Sequence, residues 1–448
     1  MTALLSNVMM LAKEVSKDTI GVIKDNPDKV YFPFFGDSEN ILNSGISIDR
    51  IFFTIPGINF AVYWYGFLIA LGLALALFYG YKKMVPYGLD PDKMTDAIVS
   101  GFLGAIFCAR LYYVLFNDTG VGFKDFFDTR SGGLAIYGGL IGAVVFGGLV
   151  VKIHKLKLTT ALDIAGPCFL IGQCVGRWGN FFNQEAFGTN TDLPWGMMSS
   201  STISYLASVG DEYAIKSGEI LDYYMPVHPC FLYESLWCLL GFVLLHLYSK
   251  HRKFDGEVFL MYIGWYGLGR FFIEGLRTDS LYLGQIRVSQ LVAGTCVLAA
   301  IVLILIFRGM VKRAGESKLY YQTEESCVQL AGYRLYTQYG ADKKKLKKKI
   351  NEAKAQGNDF SALQKEFDEK FGPEGKKKLE EEVTALEAKA KEFYKKKKKE
   401  TEVVAEESEY KSIIDDTDDS VDADASDEVK TEASESTDNT TTEDENNG

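Results

Sequence analysis

Long apolar runs, broken by short polar segments, fill the chain between about positions 60 and 307. Seven of them approach or exceed the roughly 20 residues that carry a helix across a bilayer: 60–81, 95–116, 133–153, 161–177, 229–248, 256–274 and 288–307. The shortest, 161–177, is marginal alone and is read as a span because of its neighbours. The pattern predicts an all-α integral membrane protein with seven transmembrane helices. Residues 46–313 form the membrane core behind an N-terminal extension, 1–45. Residues 314–400 form a Lys/Glu-rich helical tail, and 401–448 an acidic end too poor in apolar surface to fold alone. The longest polar connection, 180–227, is expected to be a functional loop or a small head.

Charge orients the spans. One set of ends carries Lys82, Lys83, Lys93, Lys152, Lys155, Lys157, Lys250, Arg252, Lys253, Arg308, Lys312 and Arg313. The opposite loops carry only Lys124, Arg130, Lys216, Arg277 and Arg287. The positive-inside rule then puts the N-terminus outside and the C-terminus in the cytoplasm. The formal charge of −11 hides two regions, because residues 401–448 hold eighteen acids against two lysines. Residues 1–12 lack a positive start and a clear cleavage site and do not read as a signal peptide. Six of the seven cysteines lie in or beside apolar runs, as small buried side chains.

With this topology Tyr65, Arg110, Tyr137, Arg177, Asn180, His228, Tyr233, Glu234, Arg270 and Glu274 all fall toward the outer ends of six different spans. Such sorting predicts a polar cavity opening at the outer leaflet. Arg177 ends an apolar run and needs an anionic partner there, while Asn180 and Asn183 add hydrogen-bonding groups. Arg270, Glu274 and Arg277 recur at i, i+4 and i+7 on one helical face. Arg270 either holds a phosphate oriented by Glu274 or forms a structural ion pair with it. Both roles are compatible. Glu234, early in its helix, needs a cation, with Arg177 or Arg110 as candidates. His228 is read as structural. Gly138 and Gly142 form a small-xxx-small pair for close helix packing beside Tyr137. Tyr63 and Trp64 fit an interfacial aromatic belt, and Asp163 reads as a helix-start or packing residue.

Several pieces together resemble prolipoprotein diacylglyceryl transferases. They are Trp64-Tyr65-Gly66, the glycine-rich stretch from Gly132 through Tyr137 to Gly142, and Gly176-Arg177-Trp178-Gly179-Asn180 onward to Glu185 and Gly188. His228-Pro229 through Tyr233-Glu234, and Gly269-Arg270 through Glu274, complete the set. The resemblance implies transfer of a diacylglyceryl group from phosphatidylglycerol to the lipobox cysteine thiol of a prolipoprotein. A thioether forms and sn-glycerol 1-phosphate leaves. It implies a plasma-membrane enzyme without metal or organic cofactor. Arg177, Asn180, Glu185, Gly188 and Tyr65 would bind phosphatidylglycerol, and Arg270 would stabilise the leaving group. His228, Tyr233, Glu234, Glu274 and Arg110 would support the site. Tyr137 stands where many relatives carry histidine. The resemblance places Tyr137 with Arg270 as the catalytic pair, but a neutral phenol accepts a proton poorly: either the base lies elsewhere, at His228 or Glu234, or Tyr137 mainly positions the lipid while Arg270 lowers the pKa of the thiol.

The tail departs from the family pattern. Its lysine runs, 343–349 and 395–399, could touch anionic inner-leaflet lipid or form a solvated helix. The acidic end opposes nucleic-acid binding, and no partner for the tail is legible. A transporter for an anionic solute is the main rival reading, although no repeated halves are evident.

Overall fold

The computed structural model describes residues 16–32, 41–57, 59–116, 126, 133–217, 220–278, 280, 282–283, 286–315 and 319–418. The expectations for residues 1–12, for Lys124, Arg130 and Gly132, and for 419–448 lie outside the described residues, as does the side chain of Lys216. Two compact units divide the chain, residues 1–349 and 350–448.

The first unit is mostly helical. It opens with α1 (Lys17–Lys24) and β1 (Lys29–Tyr31), followed by β2 (Ile46–Ser47), β3 (Ile51–Ile55) and β4 (Phe60–Tyr63). Then come α2 (Trp64–Met84), α3 (Pro91–Phe116), α4 (Ile136–Ile153) and α5 (Leu158–Asn183). After β5 (Met198–Ser199) and α6 (Ser200–Ser217) follow α7 (Cys230–Tyr248), α8 (Glu257–Glu274), the hairpin β6 (Tyr282–Leu283) and β7 (Ile286–Arg287), and α9 (Val288–Ala314). Among the described residues, six helical segments are long and apolar enough to cross a membrane: Trp64–Tyr87, Pro91–Phe116, Ile136–Ile153, Leu158–Asn183, Cys230–His251 and Val288–Ala314. The remaining candidate, α8, is helical over Glu257–Glu274 but carries Glu257, Arg270 and Glu274. The core is thus a multi-helix membrane bundle.

Local chemistry sets the helix ends. Lys82 and Lys83 occupy the last turn of α2, where a cation complements the helix dipole. The run from 60 does not start as a helix, because Phe60–Tyr63 pairs with Ile51–Ile55 in a hairpin. The segment that looked marginal, 161–177, belongs to α5, which continues to Asn183 despite Pro167 inside it. Gln184 ends it in the left-handed conformation, at φ 54°. Glycines bring α3 and α4 together, since a side chain at Gly138 or Gly142 would overlap α3 backbone.

Asp163 does more than pack. From α5 it accepts the backbone N–H groups of Gly256, at 2.8 Å, and of Phe259, at 3.0 Å. It therefore caps the start of α8, satisfying donors the helix cannot satisfy itself.

The 180–227 connection forms a small head with the N-terminal segment. β1 lies between β2 and β5, antiparallel to both, with Val30 opposite Ile46 and Ser199. Val30, Met197, Leu206, Tyr213, Val227 and Phe231 share its core. The fold is therefore not purely helical. Trp64 stacks on Phe182 at the end of α5 with centroids 4.7 Å apart, and Phe182 packs on the head core, so Trp64 is not only an interfacial anchor.

Beyond the bundle, α10 (Glu324–Ala355) starts against the loops that follow α2 and α4. Ser326 Oγ donates to Gly88 O at 3.0 Å, and Gln329 Nε2 donates to His154 O at 3.0 Å. In the second unit, α11 (Ser361–Phe371) precedes α12 (Pro373–Asp418). Helix thus continues past residue 400 to Asp418, into the first part of the acidic end that was expected to be disordered. Lysine and glutamate are good helix formers, and pairs such as Lys376–Glu380 at 3.6 Å favour the helix.

Candidate functional site

Each predicted polar residue sits at an end of its helix: Tyr65 at the start of α2, Arg110 late in α3, Tyr137 at the start of α4. Arg177 lies late in α5, Glu234 early in α7, and Arg270 and Glu274 at the close of α8. Since neighbouring helices run antiparallel, these ends gather on one side of the bundle.

Glu234 is the centre. Its side chain is buried, 5% exposed, and Glu274 is 2% exposed. Arg270 Nη1 donates to Glu234 Oε1 at 2.9 Å, while its Nη2 lies 2.6 Å from Glu274 Oε2. Arg177 pairs through Nε with Glu234 Oε2. Arg277 places Nη1 3.5 Å from Glu234 Oε1. Three guanidinium groups thus converge on two carboxylates, an excess of one positive charge within this cluster. The planar fork of arginine permits this bridging, where an ammonium presents a single point.

Of the two cations considered for Glu234, Arg177 is its partner and Arg110 is not. Arg110 instead donates from Nε to Phe126 O and from Nη1 to Gly133 O, both at 2.9 Å. It braces the segment leading into α4. Arg277 joins the cluster although it lies beyond the end of α8. Its i+7 spacing from Arg270 was the available signal.

Tyr137 and Arg270 line one cleft of about 370 Å³, with Tyr262, Tyr266 and Ser289. Tyr137 is 68% exposed. The asparagines are already engaged: Asn180 and Asn183 donate to Glu185 Oε1 at 3.0 and 3.2 Å. They hold a carboxylate in place and do not form an empty cradle. Tyr65 packs over Gly179, where a Cβ would come 2.7 Å from its ring. Gly188 bridges to Arg277, donates its N–H to His228 O at 2.9 Å, and leaves no room for a side chain beside Cys230.

His228 Nδ1 lies 3.2 Å from the Tyr233 hydroxyl, which also accepts from Trp195 Nε1 at 2.8 Å. Burial pushes the imidazole below its ordinary pKa, because it penalises the charged form. Arg287, counted in the sequence only as a loop charge, ties the head to the cluster. It donates to Glu274 O at 2.8 Å and to the Tyr213 hydroxyl at 3.1 Å. No spacing signal marked it, because its partners lie on other elements.

Such a cluster can bind a phosphate and stabilise charge developing on it. Guanidinium forks match phosphate oxygens, and preorganised donors cost no reorganisation during reaction.

Comparison with known proteins agrees with this chemistry. The family profile for prolipoprotein diacylglyceryl transferase matches residues 50–306. A phosphatidylglycerol–prolipoprotein diacylglyceryl transferase of Clostridium novyi is 41% identical over 262 residues, covering 58% of this chain and 95% of that protein. One from Enterococcus faecalis is 44% identical, covering 58% and 91%. One from Finegoldia magna is 38% identical, covering 60% and 100%. Matched over most of its helical bundle and over nearly the whole of these relatives, the chain belongs to the prolipoprotein diacylglyceryl transferase family.

Proposed function

We propose that this protein transfers the diacylglyceryl group of phosphatidylglycerol to the lipobox cysteine thiol of prolipoproteins, the first step of lipoprotein maturation. The observation that carries the reading is the meeting of Arg177, Arg270 and Arg277 around Glu234, next to the cleft lined by Tyr137. Family membership supplies the substrates.

In this reading the lipid phosphate lies against Arg177 and Arg270, with Asn180, Glu185, Gly188 and Tyr65 shaping its surroundings. The thiolate attacks the glyceryl carbon, a C–S bond forms, and the C–O electron pair leaves with the phosphate of sn-glycerol 1-phosphate. The thiol proton ends on the released phosphate or in water. Arg270 faces the oxygen on which charge develops. Both oxygens of Glu234 are engaged by guanidinium groups, so we assign it to holding the arginines and not to proton transfer. Tyr137 positions the lipid, and His228 with Tyr233 fixes the head above the site. No cofactor enters this scheme.

We further assign seven spans, counting α8, whose roughly 27 Å of helical rise nearly matches a hydrocarbon core of about 30 Å. The N-terminus and head lie outside a plasma membrane and the tail inside, following the lysine and arginine bias.

The test supplies vesicles holding labelled phosphatidylglycerol and a lipobox peptide. Label should appear on the peptide cysteine and be lost in Arg177→Ala. Anion uptake without lipid consumption would replace the reading with transport.

A further inference from the structure

A second, larger cleft of about 510 Å³ lies between α2, α3 and α5. Its walls include Leu73, Gly80, Ile98, Ala165 and Cys168, and its one amide is Gln173. Helices α2 and α5 run antiparallel in close register. Tyr65 meets Gly179, Gly72 meets Gly172, and Gly80 faces Cys168 and Ile164. Depth along one helix can therefore be read on the other.

Three features say what fills this cleft. It is apolar and lies within spans whose surroundings are lipid chains. Its polar end, Gln173, is one turn from Arg177 on α5, and its Nε2 donates to the Tyr262 hydroxyl at 3.3 Å, a residue that lines the cleft of Tyr137 and Arg270, so the apolar cleft borders the cationic site. Its inner end is closed, because the lining residues Met84, Met94, Ala161 and Ile164 pack in one cluster with Tyr320. From Gln173 to Ala161 the helical rise is roughly 18 Å, against a single-leaflet hydrocarbon depth of about 15 Å. A phosphate held at Arg177 puts the ester region near Gln173 and one acyl chain into the cleft.

We propose that this cleft is a subsite for one acyl chain of the donor lipid, and that its depth sets the chain length the enzyme accepts. The proposal rests on the lipid-transfer reading above. A chain leaving the bilayer exchanges one apolar surrounding for another, so the cleft selects by steric exclusion and not by hydrophobic transfer. Gly80 lies about 13 Å below Gln173 by helical rise, and an added Cβ there meets Cys168 Sγ at an ordinary 3.4 Å. A leucine at that position projects into the lower cleft. Gly172, near the top, has nothing within 4 Å of an added Cβ.

The test measures transfer from dilauroyl and dipalmitoyl phosphatidylglycerol in detergent micelles with a lipobox peptide. Gly80→Leu should slow the dipalmitoyl reaction by roughly five- to hundred-fold, the range of overpacking penalties, and leave the dilauroyl reaction within about two-fold of the unaltered protein. Gly172→Leu should slow both lipids. Where Gly80→Leu does not accumulate in membranes, Ala165→Leu probes the same depth from α5. Equal slowing of the two lipids by the deep variant, or no slowing of either, overturns the proposal. Absence of transfer by the unaltered protein overturns the lipid-transfer reading itself, and the proposal with it.

Discussion

Arg270→Lys separates charge from geometry at the centre of the site. The substitution keeps one positive charge but removes the fork that spans Glu234, at 2.9 Å, and Glu274, at 2.6 Å. A lysine ammonium reaches one carboxylate at a time. The side chain of Arg270 is 22% exposed and its partners are 5% and 2% exposed, so solvent screens the lost contact only in part. Losing one charge-assisted hydrogen bond costs about 1.5–3 kcal/mol in such settings. If the same fork also faces the leaving phosphate, losing a preorganised donor removes roughly a hundred- to a thousand-fold from kcat. The assay measures initial rates of label transfer over a range of phosphatidylglycerol concentrations in micelles. The expected result is a fall in kcat of about a hundred-fold with KM changed less than about three-fold, because the net charge that draws the lipid persists. A double-mutant cycle with Glu234→Gln should give a coupling of about 1–3 kcal/mol. If Arg270→Lys keeps kcat within about three-fold, or loses activity only through KM, charge alone suffices and the bridging argument is wrong. Additive effects in the cycle would mean that Glu234 does not orient Arg270.

Two further outcomes follow from the geometry. Tyr137→Phe should keep turnover within roughly ten-fold, as a positioning role requires. Loss of turnover with lipid binding intact, measured by equilibrium binding in micelles, would make the phenol an obligatory proton acceptor. His228 has a folded pKa below its unfolded value of about 6.5, so the unfolded chain binds more protons between the two values. The resulting stability is complete above the unfolded pKa and is lost as pH falls toward the folded one. Thermal unfolding between pH 7.5 and 5.5 should therefore show a decline that His228→Gln reduces, and an identical decline in the variant would remove His228 as its source.

The membrane bundle was legible because a run of about 20 apolar residues matches the hydrocarbon thickness and is longer than most buried core helices need. Arginines 177 and 270 were legible because a charge inside such a run demands a partner. What sequence cannot supply is which partner. Glu234 and Arg177 sit on different helices, and only packing of α5 against α7 chooses Arg177 over Arg110 for that glutamate. Asp163 illustrates the same limit, since the N–H groups it accepts lie 93 and 96 positions away. The head sheet escaped because strands such as Ile46–Ser47 and Met198–Ser199 are too short to display any alternation. The helix that runs on to Asp418 was hidden by its net charge, which points to an unfolded end although lysine, glutamate and alanine all favour helix.

Two carboxylates in a site for an anionic lipid call for a physical reason. Three arginines without counter-charges would be costly at this depth, and Glu234 and Glu274 offset that cost while fixing the guanidinium planes. The residual single positive charge matches a phosphodiester monoanion. The product is a phosphate monoester, whose charge near neutral pH is between about −1.5 and −2. A site at +1 therefore gains attraction as the C–O bond breaks and yet does not hold the product with its full arginine complement. Glu234→Gln raises the excess charge by one, and at an effective dielectric constant near 20 a charge about 4 Å away is worth up to about 4 kcal/mol before desolvation is counted. Allowing for partial exposure, sn-glycerol 1-phosphate should inhibit this variant at concentrations at least roughly ten-fold lower than the unaltered protein. The check is an inhibition constant measured under identical salt, since screening changes it. An unchanged or weakened product inhibition would show that Glu234 does not moderate the charge of the site, leaving only its role in holding the arginines.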